Sequence, residues 1–115
     1  MYDLIFRHPS GIALVRVSGK NVTFSTMNCG AFSLQPIDNI RLDIEGILKE
    51  FPDLKDKSAM EIRTEAIKRF KGYIEKMETE MEVVQYVVKD LSKHGYTLVN
   101  AKRPGFREDK RFPGA

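Results

Sequence analysis

The sequence predicts an α+β fold: a four-stranded antiparallel β-meander, then a short helix, one long helix on the sheet, a short C-terminal strand and a basic arm. Three features carry that reading. The N-terminal third alternates apolar and polar residues with the period of a strand. A capping signal at Ser58 opens a stretch with no proline until Pro104. Apolar residues in that stretch recur at helical spacing.

The strands come first. Tyr2, Leu4 and Phe6 share a face, and His8-Pro9-Ser10-Gly11 reads as a turn. Ala13, Val15 and Val17 then alternate with Arg16, and Gly19-Lys20 suits a two-residue hairpin because glycine takes positive φ without steric cost. Val22, Phe24 and Thr26 form the third strand. Asn28-Cys29-Gly30 marks a second turn, and Phe32 and Leu34 continue the pattern until Pro36. The face carrying Val15, Val17, Val22, Phe24, Phe32 and Leu34 needs a helical cover.

Asp43 can cap a short helix over 44–51 whose inner face holds Ile44, Ile47, Leu48 and Phe51, with Pro52 stopping it. Residues 53–57 read as a charged loop. Ser58-Ala59-Met60-Glu61 is a capping box in which Glu61 reaches back to a backbone N–H. Lys93-His94-Gly95 is a helix stop, with cations at the negative end and a glycine free to turn left-handed. Tyr96-Thr97-Leu98-Val99 reads as a strand able to rejoin the sheet. The single domain is expected over 1–100 and the arm over 101–115.

A straight helix over 58–94 would be about 55 Å long at 1.5 Å per residue, against a diameter of roughly 35 Å for a globule of this chain length. It must break, with Gly72 the expected kink, or project. Ile67, Phe70, Ile74, Met77, Met81, Val84, Val88 and Leu91 follow a three-four repeat over four heptads. Projected, that seam is an exposed apolar interface, and the expected partner is a second copy of the chain or another protein. Packed on its own sheet, it is core, and Val83 and Val87 widen the stripe as core packing would.

The chain has 115 residues, 42% hydrophobic and 30% charged, with net charge +3. This is the composition of a folded domain. A single cysteine excludes a disulfide scaffold, and one Cys with two His cannot fill a Cys/His zinc tetrad. The longest aliphatic run, residues 12–15, is far short of the roughly twenty residues a membrane helix needs. Asp3, Arg7 and His8 leave no apolar h-region at the N-terminus, so a cytoplasmic location is expected.

The charge excess lies in the last 21 residues, net +3 on their own. There Lys102, Arg103, Phe106, Arg107, Lys110, Arg111 and Phe112 interleave cations with aromatic rings, which suits phosphate and base contacts or a wrap around a partner. A nucleic-acid-associated protein, with Arg7 and Arg16 assisting, is the alternative to a non-enzymatic assembly module. Catalysis has little support. His94 reads as a dipole complement at a helix end and Cys29 as a small turn residue, and Glu75, Glu78, Glu80 and Glu82 read as a solvated face. No catalytic residue, metal ligand or cofactor is assigned.

Overall fold

Alternation in the N-terminal third becomes a hydrogen-bonded ladder. The computed structural model describes residues 1–9, 11–26, 34–40 and 42–102. Strands β1 (Tyr2–His8), β2 (Gly11–Ser18) and β3 (Asn21–Thr26) are followed by β4 (Gln35–Pro36), helices α1 (Ile44–Glu50), α2 (Ala59–Glu75) and α3 (Glu80–Ser92), and β5 (Thr97–Lys102). The strands form one antiparallel sheet of five, in the order β4-β3-β2-β1-β5.

The hairpin between β2 and β3 turns at Gly19-Lys20, with Gly19 at φ +61° and Val17 opposite Val22. That register places Leu4, Phe6, Val15, Val17, Val22 and Phe24 on one buried face. The opposite face carries Asp3 across from Arg16, joined by two hydrogen bonds of 2.7 and 3.0 Å.

The sheet differs from expectation at both edges. β4 is two residues long and includes Pro36, while Leu34 lies before the strand and is 42% exposed. Proline fits because β4 is an edge, where one face of the backbone needs no donor. Cys29 and Phe32 lie outside the described residues. β5 runs through Lys102, and Ala101, opposite Leu4, is fully buried, so residues 101 and 102 belong to the sheet and not to an arm.

α1 begins as its sequence dictates, with Asp43 Oδ2 accepting the Gly46 N–H. The segment after it is not merely a charged loop. Pro52–Leu54 is a 3₁₀ turn that buries Leu54 to 1% exposure. Arg69 of α2 holds that turn, donating to both oxygens of Asp53 and lying 4.6 Å over the Phe51 ring.

The long helix breaks, but not at Gly72, which lies inside α2. The break spans 76–79 and is set by a second capping box. Thr79 Oγ1 accepts the Glu82 N–H at 3.1 Å, and its hydroxyl donates to the Glu82 carboxylate at 3.2 Å. The first box behaves alike: Glu61 donates its N–H to Ser58 Oγ and accepts from the Ser58 hydroxyl, not from a backbone N–H. α3 then packs on β2 and β5, while α2 packs on α1 and on the 3₁₀ turn Ile37–Asn39, and both join one core. Ile67, Phe70, Ile74, Val84 and Leu91 are buried, and Met77, Met81 and Val88 pack partly buried against the same core. The seam is thereby used up inside the chain, and the length mismatch that motivated pairing through it is gone. No helix among the described residues is long and apolar enough to cross a membrane.

Glu80, expected on a solvated face, is a fastener. Its carboxylate accepts from the Met1 ammonium at 2.8 Å and from the Gly19 N–H at 2.7 Å, tying the start of α3 to the hairpin.

Candidate functional site

Two places concentrate chemistry. The first is a buried polar cluster where the ends of α1 and α3 meet. Asp90 and His94 stand one turn apart at the end of α3, and Glu50 ends α1. One donor atom from each lies within 4.8 Å of the other two. His94 Nε2 is 4.0 Å from Asp90 Oδ2, and Lys93 Nζ is 3.5 Å from Glu50 Oε2. A void of about 10 Å³, lined by these residues with Tyr86, Phe70 and Ala66, adjoins them.

α1 comes this close because residue 46 is glycine. A Cβ there would sit 2.9 Å from His94 Nδ1 and 3.1 Å from the Lys93 carbonyl oxygen. His94 is 5% exposed, and Nδ1 is buried with no hydrogen-bond partner. His94 stands just past the end of α3, where the sequence placed it, but buried.

Burial governs the electrostatics. It pushes the Asp90 carboxyl up to about 6, with Glu50 reinforcing the shift and Lys93 opposing it. It pulls the His94 imidazole below its ordinary value, against the opposite pull of Glu50 and Asp43. The Tyr86 hydroxyl is pushed up by the same burial, then by Asp90 and Glu50. Each shift disfavours the charged form of its group, so charge is costly to hold in this cluster.

The second place is an open groove of about 890 Å³ along α2. Ile40, Met60, Thr64, Ile67 and Gly72 give it apolar and small contacts, and Arg63, Lys68, Lys71, Asp38 and Glu75 give it charge. Met60 is 78% exposed, and nothing lies within 4 Å of a Cβ built on Gly72.

Of the basic residues expected to contact nucleic acid, Arg16 is bound to Asp3, Arg7 is exposed on β1, and Lys102, opposite Asp3 on β5, is exposed. Arg103, Phe106, Arg107, Lys110, Arg111 and Phe112 lie outside the described residues. His8 stacks on Tyr96 at 4.3 Å between ring centres. Comparison with known proteins returns no matching family model, no matching curated protein and no matching solved structure.

Proposed function

We propose that the chain is a small non-enzymatic assembly module that pairs with a second copy of itself through the outer face of α2. The observation that carries this is the α2 groove, where a protruding Met60 and an uncovered Gly72 lie about three turns apart on one exposed helix face. A mid-helix glycine costs about 1 kcal/mol relative to alanine, and no neighbour among the described residues needs the space it leaves.

The face is complementary to itself. An antiparallel pairing with its two-fold beside Thr64 and Lys68 sets Met60 opposite the partner's Gly72, a knob over a hole. The same register sets Glu75 opposite the partner's Lys57, both exposed, while Lys71 is held by Asp38 of its own chain at 2.9 Å. Two features of one face, a shape match and a charge match, agree on one register. The interface expected from the sequence was the inner seam; this one uses the side of α2 that the core leaves free.

Sedimentation velocity on the full chain tests it, up to about 200 µM, where a dimer of micromolar Kd is nearly complete. The expected result is twice the 13.2 kDa chain mass. Met60→Asp and Gly72→Glu should return the protein to one chain mass without altering the fold, because both positions face open space. Glu75→Lys and Lys57→Glu should each weaken pairing, and the double swap should restore it. A monomer throughout, or a dimer indifferent to all four changes, would overturn the proposal.

A further inference from the structure

We infer that Glu50, Asp90 and His94 form a binding site for a borderline transition-metal cation of the Zn²⁺ type, fastening the end of α1 to the end of α3. One imidazole and two carboxylates are an accepted donor set for such ions. The site is drawn together by tertiary packing, since Glu50 belongs to α1 and the other two close α3.

The spacing favours an ion over a direct contact. A charge-assisted hydrogen bond between Asp90 and His94 would bring the heavy atoms to about 2.7–2.9 Å. They stand instead 4.0 Å apart. Donors around a tetrahedral ion at about 2.0–2.1 Å are roughly 3.3 Å from one another, so closing on a cation asks for a shift of well under 1 Å in this pair.

The imidazole supplies a second, separate pointer. The His94 side chain is only 3% exposed, yet its Nδ1 has no hydrogen-bond partner. A buried ring nitrogen left without a partner is costly. A cation on Nε2, the nitrogen that faces Asp90, would fix the ring as its Nδ1–H tautomer, with that N–H turned toward α1 at Gly46. Glu50, with its side chain 21% exposed, gives the ion a way in. Lys93 opposes binding and must swing off Glu50. Being 46% exposed, its side chain has room to do so.

Titration of EDTA-stripped, untagged full-length protein with Zn²⁺, followed by calorimetry and thermal unfolding, tests the site. The expected result is one equivalent bound and a raised melting temperature. Co²⁺ in its place should give a visible absorption band from a low-coordinate site. Asp90→Asn, His94→Gln and Glu50→Gln should each weaken binding by roughly tenfold or more, and Cys29→Ser should leave it unchanged. Glu50→Gln decides the matter if the two buried variants fail to fold, because Glu50 sits at the open edge. Absence of binding, binding that survives Glu50→Gln, or binding lost in Cys29→Ser would overturn the inference.

Discussion

Replacing Asp90 by asparagine in the metal-free protein should stabilise it, and only above the acid range. Asparagine has the shape of the protonated carboxyl and carries no charge to desolvate. In the folded chain that carboxyl is pushed from 3.8 up to about 6, mainly by burial and then by Glu50. An acid with a raised folded pKa contributes stability that is complete below its unfolded value and is lost as pH rises through the folded one. The window therefore opens near 3.8 and closes just above 6. At 1.36 kcal/mol per unit, the ionised side chain costs the folded state roughly 2–3 kcal/mol beyond that window. Facing Asp90 are Glu50, His94, Lys93 and Tyr86, and all four remain in the variant. His94 has the opposite sign: its lowered pKa gives stability that is lost as pH falls through it. Being common to both proteins, it largely cancels in their difference. Urea denaturation with EDTA present, in steps from about pH 4 to about pH 8, reads that difference. The two proteins should match within about 0.5 kcal/mol at the acid end, with the Asp90→Asn variant ahead by roughly 2–3 kcal/mol at the alkaline end. A gap that does not move with pH, or a variant weaker at every pH, would refute the reasoning and make Asp90 a charged partner, not a desolvated acid.

Other changes probe the joints. Thr79→Ala removes the side-chain acceptor that starts α3 and should cost about 1 kcal/mol in urea denaturation. Gly46→Ala drives a Cβ to 2.9 Å from His94 and should cost about 1–3 kcal/mol in the same assay. Leu54→Ala empties a site only 1% exposed and should cost roughly 2–5 kcal/mol, which a conservative Leu54→Met should largely avoid.

The strands and the helix starts were legible because their signals are local. Alternation reported the buried face of β1, β2 and most of β3, since a ladder has one period and the turn at Gly19 fixed its register. It failed at the end of β3, where Thr26 is exposed and Ser25 buried. The helix break was also written locally, as Thr79 followed three residues later by Glu82. Heptad spacing hid it: apolar residues continue at three and four across 76–79, because Met77 and Met81 serve the core from either side of the joint. Gly72 was misleading for a related reason. A glycine lowers helix propensity but removes no hydrogen bond, so α2 passes through it. The buried cluster was illegible in the main because its third member, Glu50, stands forty residues before Asp90 and meets it only through packing. The available hints were Asp90 and His94 at one-turn spacing and a glycine, Gly46, one turn before Glu50 on α1.

The placement of β1 has a consequence for synthesis. Its two neighbours are β2, made immediately after it, and β5, the last strand described. Until Thr97–Lys102 leaves the ribosome, the apolar strand holding Leu4 and Phe6 keeps a full row of backbone donors and acceptors open to any other chain. Nascent protein and C-terminal truncations ending before residue 97 are therefore the species most prone to aggregate, while a chain that includes β5 closes that edge with it.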